Sequence, residues 1–129
     1  MTYQVKSPIL GFENISEVEL NESSELFSTL KSSDDAVAFT LVNPYMLREY
    51  SFDVPRATQV LLGLNDAANV RVYNVAVLQE PLEDSKVDFL APLVFNTENN
   101  TMAQVVLDPK RHPEFDFAES IKAFRIKGE

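Results

Sequence analysis

The chain's most hydrophobic run is residues 87–96, VDFLAPLVFN. It is rich in β-branched and aromatic residues and too short for a stable lone helix, so its pattern predicts a strand. In that reading Val87, Phe89, Ala91, Leu93 and Phe95 line one wholly apolar face. The opposite face carries Asp88, Leu90, Pro92, Val94 and Asn96, apolar in its middle and polar at its ends. One face should therefore meet a core, and the other should be covered centrally and wet at both ends. Pro92 has no amide hydrogen to donate, which places an edge, bend or bulge at Ala91–Pro92.

The same alternation recurs along the chain. Residues 3–6 open as a short strand with Tyr3 and Val5 on one side, and residues 17–20 form another with Val18 and Leu20 facing inward. Between them SPILGFEN reads as a turn. Its Ile9, Leu10 and Phe12 are more apolar than a loop needs, so they plug one end of a core in preference to serving as a binding loop. Residues 21–31 fit two readings: a helical face of Leu26, Phe27 and Leu30 capped by Ser23 or Ser24, or a strand over 26–30. Residues 36–43 (AVAFTLVN) are a clear strand, ended by Asn43-Pro44. A single helical turn over 45–49 follows, then the alternating segment 50–54. Pro55 starts a short helix reaching about Leu62 and stopped by Gly63, with Ala57, Val60, Leu61 and Leu64 as its buried stripe.

Residues 70–79 (VRVYNVAVLQ) are apolar on both faces at their centre, the pattern of a central strand. An acidic turn over 80–86 leads into the run described above. Asn99 and Asn100 tolerate a left-handed turn, and residues 102–107 close an antiparallel three-strand meander. After the irregular DPKRHP, Asp116 caps a predicted last helix with Phe117, Ile121 and Phe124 as its stripe and Lys122, Arg125 and Lys127 towards its C-terminal end. The expected fold is all-β and mainly antiparallel: a small β-barrel-like domain over 1–115, with seven or eight strands, one or two short helices, and a helical segment or tail over 116–129. Barrel closure removes exposed strand edges.

The 129-residue length suits one domain able to bury its own core. Cysteine is absent, which excludes disulfides, thiolate nucleophiles and cysteine-ligated zinc and suits a reducing, cytoplasmic setting. The first ten residues lack a signal-peptide core, and no run approaches a membrane span. The net charge of −9 repels nucleic acid and anionic lipid and favours a basic protein partner. The sequon-like triplets at Asn14, Asn21 and Asn99 are read as chance.

Candidate chemistry is sparse. His112 is the single histidine, flanked by Arg111 and Pro113 with no nearby serine. A carboxylate site built from Asp108, His112, Glu114 and Asp116 has no helix to order it, and a solvated acidic segment explains those residues better. Three glycines make no phosphate loop. The acidic pairs Asp34-Asp35 and Glu83-Asp84 lie in turns, where carboxylates are solvated. No catalytic, metal or cofactor residue is assigned. Four surfaces remain for binding a partner: the loop 9–12, the corner 43–49, the acidic turn 80–84 and the C-terminal segment. Their candidate residues are Phe12, Tyr45, Glu80, Glu83 and Asp84.

Several stretches in order resemble the flagellar assembly factor FliW family of bacteria: PILGF at 8–12, FTLVNPY at 39–45, YSFDVP at 50–55, the strand 70–79, LAPLVFN at 90–96, QVVL at 104–107 and the His112-Pro113 turn. The combination, spanning about residues 3–115, carries the resemblance; no single motif does. It implies a cytoplasmic, non-enzymatic β-barrel-like protein, monomeric when free. Its implied partners are flagellin and the basic, RNA-binding dimer CsrA, whose repression of flagellin mRNA it would relieve. The segment 115–129 is longer than the resemblance leads one to expect. The alternative is a β-barrel that binds a small molecule in a cavity lined by Phe89, Leu93 and Phe95.

Overall fold

The computed structural model describes residues 1–65 and 69–124. Among them are nine strands: β1 (Thr2–Ser7), β2 (Glu17–Glu22), β3 (Phe27–Ser32), β4 (Ala38–Val42), β5 (Val70–Val77), β6 (Lys86–Val87), β7 (Leu93–Asn96), β8 (Thr101–Gln104) and β9 (Glu119–Ser120). One α-helix, α1 (Arg56–Leu62), and three single 3-10 turns, at Pro44–Met46, Leu82–Asp84 and Ile121–Ala123, complete the described elements.

Seven strands close a barrel in the order β4-β3-β2-β1-β8-β7-β5, and β5 returns to β4 through Thr40 opposite Ala76 and Val42 opposite Asn74. All neighbours run antiparallel except β1 and β8, which are parallel. β6 and β9 lie outside this ring, added edge to edge beyond β5. The all-β, mainly antiparallel barrel read from the sequence is the observed architecture. β5 is its central member, pairing with β4, β6 and β7.

Side-chain alternation sorts the apolar residues into two cores. Tyr3, Val18, Leu20, Leu30, Leu41, Tyr73, Leu93, Phe95 and Met102 fill the barrel, contributed by all seven ring strands. The opposite faces of β4, β5, β7 and β8 present Val42, Ala76, Val94 and Ala103 to a second core. That core is covered by Leu47, Tyr50 and Leu62 from one connection and by Leu107, Phe115 and Ile121 from the C-terminal part. Such a chain has no wet outer face on half of its barrel, so long stretches without regular structure become load carriers for burial.

The run 87–96 is not one strand. It breaks between β6 and β7, and Val87 and Phe89 join the outer core while Leu93 and Phe95 enter the barrel. The break exchanges the two faces, so the single apolar face expected from the alternation is divided between the cores. Pro92 sits in the break, where it needs no ladder donor. Its carbonyl still accepts from the Val105 amide at 2.9 Å, and that of Leu90 from Leu107 at 2.7 Å. Asn96 is buried, not wet: its Nδ2 donates to the Leu62 carbonyl at 2.9 Å.

Residues 21–31 resolve as the end of β2, a turn over 23–26 and β3 from Phe27, which is the strand reading and not the helical one. The Ser24 hydroxyl accepts from the Phe27 amide at 3.0 Å and closes a hairpin turn, a role a serine fills as readily as a helix cap. The segment 50–54 alternates in burial but joins no ladder. The expected helical turn near 45 is the 3-10 turn Pro44–Met46, capped by Asn43 Oδ1 accepting from the Tyr45 amide at 3.0 Å.

Two helix expectations are corrected. α1 exists, with Pro55 as its N-cap, but Val60 and Leu61 are 70% and 49% exposed, Ala57 is exposed and Leu64 only half-buried. Its sole buried residue is Leu62. Polar anchoring replaces the stripe: the Leu62 carbonyl accepts from Asn96 and Asn99 Nδ2 and from Thr101 Oγ1 at 2.9, 2.8 and 3.3 Å. Gly63 ends the helix at φ 65°, where a side chain would be strained and its Cβ would stand 3.1 Å from Asn99 Nδ2. The predicted last helix is the short strand β9 followed by the 3-10 turn, whose N-cap is Ser120 and not Asp116. Arg125 and Lys127 lie outside the described residues.

Candidate functional site

Three of the four candidate surfaces meet in one place. β9 pairs with β6 through Lys86 opposite Ser120 and Val87 opposite Glu119. The Ile121 amide donates to the Ser85 carbonyl at 2.9 Å, and the Ser120 hydroxyl donates to the Glu83 carbonyl at 3.0 Å. Lys122 Nζ pairs with Asp84 at 3.1 Å. These contacts join the acidic turn to the C-terminal segment. The corner joins through Arg48, whose Nη1 donates to both carboxylate oxygens of Glu119 at 3.1 and 3.2 Å, while Nη2 donates to the Glu114 carbonyl at 3.1 Å.

The Arg48 guanidinium is also ringed by aromatic side chains. Its carbon lies 5.1, 4.8 and 5.2 Å from the ring centres of Phe89, Phe115 and Phe124. Arginine suits this position because its planar, weakly hydrated cation stacks on rings while its edge still bonds a carboxylate. The arrangement binds one chain segment to another.

The loop 9–12 stands apart. Ile9 is buried in the barrel core, Phe12 meets Phe39 edge to face at 4.9 Å, and only Leu10 projects, its amide donating to Gln104 Oε1 at 2.8 Å. Phe12 is thus half-buried as a plug. Tyr45 is exposed, its ring 6.3 Å from that of Tyr50. Glu80 and Glu83 are exposed and Asp84 is half-buried against Lys122.

Comparison with known proteins settles the family. The model of the FliW protein family matches residues 1–119. This chain belongs to the FliW family. It is 47% identical over 125 residues to flagellar assembly factor FliW 1 of Wolinella succinogenes, covering 96% of this chain and 98% of that one. It is 50% identical over 130 residues to flagellar assembly factor FliW 1 of Helicobacter pylori strain HPAG1, covering 98% and 96%. A crystal structure of the flagellar assembly factor FliW superposes with a TM-score of 0.84 at 22% identity, over 98% of this chain and 87% of that chain.

In this FliW-family barrel the stretches that carried the resemblance serve the fold. Tyr50 of YSFDVP donates to the Phe89 carbonyl at 2.6 Å and accepts from Asn74 Nδ2 at 3.2 Å; the same Nδ2 donates to the Asp88 carbonyl at 2.9 Å. This buried polar node ties β5, the break after β6 and the 44–64 connection together. Burial pushes the Tyr50 phenol well above its ordinary range, so it stays a hydrogen-bond donor. His112 stacks on Phe115 with ring centres 5.7 Å apart, and Asp108 Oδ1 accepts from the Lys110 amide at 2.9 Å, so these members of the imagined carboxylate site order a turn. Among the described residues no group of three or more His, Asp or Glu side chains is placed to hold a metal ion. Leu93 and Phe95 lie in the barrel and Phe89 outside it, so the three do not line a common cavity.

Asp88 gives a pH prediction. Burial raises its pKa, opposed by the Leu90 amide, which donates to Oδ1 at 3.0 Å. The folded-state value therefore lies above the unfolded one. As pH rises, the unfolded chain releases this proton first, and between the two values the folded state holds more protons, so stability falls with rising pH. Below the ordinary carboxylate range both states are protonated and the penalty vanishes. Asp88→Asn keeps the acceptor and removes the charge. The variant should equal the parent in acid and exceed it at pH 7, a gap read by denaturant midpoints across pH. A parent more stable than the variant at pH 7 would reverse the assignment.

Sequence reasoning missed Arg48, Glu119, Tyr50 and Asn74 as organising residues. Nothing local marks Arg48, a lone base between Leu47 and Glu49. Asn74 did leave a signal: an amide at the centre of the most apolar long strand must find buried partners.

Proposed function

We propose that this chain is a cytoplasmic flagellar assembly factor that acts by binding other proteins and carries out no catalysis. Its partners in this reading are flagellin and the basic RNA-binding dimer CsrA, each displacing the other, so that surplus flagellin frees CsrA to repress flagellin translation. The observation that carries the proposal is the match to the FliW family over residues 1–119, joined by relatives of nearly equal length that are named flagellar assembly factors. The charge of −9 favours a basic partner through electrostatic steering. The exposed Glu80 and Glu83 project from the same turn as Asp84, a site from which negative potential could act on an RNA-binding face without occupying it.

The direct test mixes the purified protein with CsrA or with flagellin at micromolar concentration and follows co-elution on size exclusion. Elution of both mixtures as separate components would end the proposal. The triple variant Glu80→Gln/Glu83→Gln/Asp84→Asn removes three negative charges and should weaken relief of CsrA repression several-fold at low salt, with the difference shrinking as salt rises. Unchanged antagonism at low salt would remove the acidic turn from the mechanism while leaving the binding proposal standing.

A further inference from the structure

The C-terminal segment is held against the barrel in the manner of a bound peptide. β9 is two residues long and adds one edge to β6. Around it are an ion-paired carboxylate (Glu119), a buried apolar anchor two residues on (Ile121) and an aromatic ring three residues further (Phe124). This combines main-chain pairing at a sheet edge with pockets for alternate side chains, the usual grammar of strand addition by a peptide. The receiving surface belongs to the rest of the chain: the edge of β6, the Ser85 carbonyl, Arg48, Phe89 and Phe115.

We infer that this surface is a peptide-docking groove, occupied in cis by residues 116–124 and open in trans to an extended peptide of a partner protein bearing a carboxylate, an apolar residue two positions later and an aromatic residue three after that. The charge at Arg48 sets the chemistry. Among the described residues Glu119 is its sole ion-pair partner, and only a fifth of the Arg48 side-chain surface is open. A segment that leaves strips the cation of its counterion and of the Phe124 ring, so whatever replaces it must return a carboxylate. The cis occupant also leaves apolar surface uncovered on three elements around it. Val77 at the end of β5, Leu82 in the acidic turn and Phe117 in the segment itself are 59%, 50% and 53% exposed. A longer partner chain would cover what the short β9 does not. The partner is defined by this chemistry alone, and the inference stands whether or not flagellin and CsrA are the partners.

The absence of native cysteine makes the test clean. Ser85 and Ile121 are linked by a main-chain hydrogen bond, so Lys86 and Ser120 form the adjacent non-hydrogen-bonded pair. Such pairs bring their Cα atoms to about 4.5 Å, within the range of a disulfide. Lys86→Cys/Ser120→Cys, oxidised, locks the segment down. Glu119→Ala/Ile121→Asp in the full chain releases it and leaves the groove intact. The probe is a fluorescein-labelled peptide of residues 117–124, FAESIKAF.

Fluorescence anisotropy should show the peptide binding the released protein at least tenfold more tightly than the parent. The oxidised lock should bind none, and reduction should restore binding to the parent level. Equal binding to the released and parent proteins, or to the oxidised and reduced lock, would overturn the inference. Near-UV circular dichroism checks the fold, and Glu119→Ala alone, which leaves every buried apolar side chain in place, carries the test if the double variant unfolds. In the parent protein the Ile121 amide should exchange with solvent at least a hundredfold faster than the Leu30 amide within the barrel. Equal protection of the two would mean that the segment does not open, and would also overturn it.

Discussion

Phe95→Ala will destabilise the protein by about 3–5 kcal/mol, the largest effect expected of any single truncation in the barrel. Phe95 is fully buried on β7, between Arg71 on β5 and Met102 on β8. Its ring meets those of Tyr3 and Tyr73 edge to face at 5.0 and 5.6 Å, so truncation removes two aromatic pairings as well as buried area. Strands on both sides hold the backbone in place, so the space cannot collapse cheaply. Native domains hold only roughly 5–15 kcal/mol in total, and the change should lower the melting temperature by on the order of 10 °C. Thermal and urea unfolding of the parent and variant measure it. Leu61→Ala, on the exposed side of α1, is the matched control and should stay within about 0.5 kcal/mol. A large loss at Leu61 with little at Phe95 would restore the helix stripe that the structure replaces.

The second large effect is expected at Arg48. Arg48→Ala leaves Glu119 without its counterion, removes both bonds to that carboxylate and the bond to the Glu114 carbonyl, and empties the space among three rings. Breaking a fully buried ion pair costs roughly 3–5 kcal/mol. A fifth of each side chain's surface is open here, so we expect about 2–3 kcal/mol. The loss should be local. The seven-strand ring contains neither Arg48 nor Glu119, so amides of residues 116–124 should lose protection while those of β2 and β3 keep theirs. Arg48→Lys should recover only part of the loss, because an ammonium neither stacks as a plane nor offers a second nitrogen to hold the Glu114 carbonyl while the first holds Glu119. Hydrogen exchange read residue by residue separates this outcome from a global one: uniform loss of protection would show that the corner supports the whole barrel.

Much of the barrel was legible because alternation is a local property. Val18 and Leu20, Tyr73 and Val75, and Leu93 and Phe95 each face inward as a period of two requires, and the order of turn signals places the strands. The candidate surfaces were legible as segments but not as a site. Residues 43–49, 80–84 and 116–124 are far apart in the chain, and no spacing announces that Arg48 will find Glu119 across 71 positions. The errors fall where a polar contact outweighed apolar periodicity. α1 looked amphipathic, yet Asn96, Asn99 and Thr101 hold it by one carbonyl while Val60 and Leu61 stay in solvent. The last segment looked helical because Phe117, Ile121 and Phe124 share a helical spacing. The edge of β6 and the Arg48 cation together made a strand and a single turn the better solution.

The sequence by itself determined the class of fold, which side chains share a face within each barrel strand, and an interruption at Ala91–Pro92, since steric alternation and a missing amide hydrogen act within a few residues. The tertiary structure alone decided that the break divides one apolar face between two cores. It also decided that Asn96 is buried as a helix anchor and that the C-terminal segment closes over Arg48. Each of these depends on which distant group arrives to satisfy a buried carbonyl, amide or charge, and such partners are set by chain closure and not by neighbours in sequence.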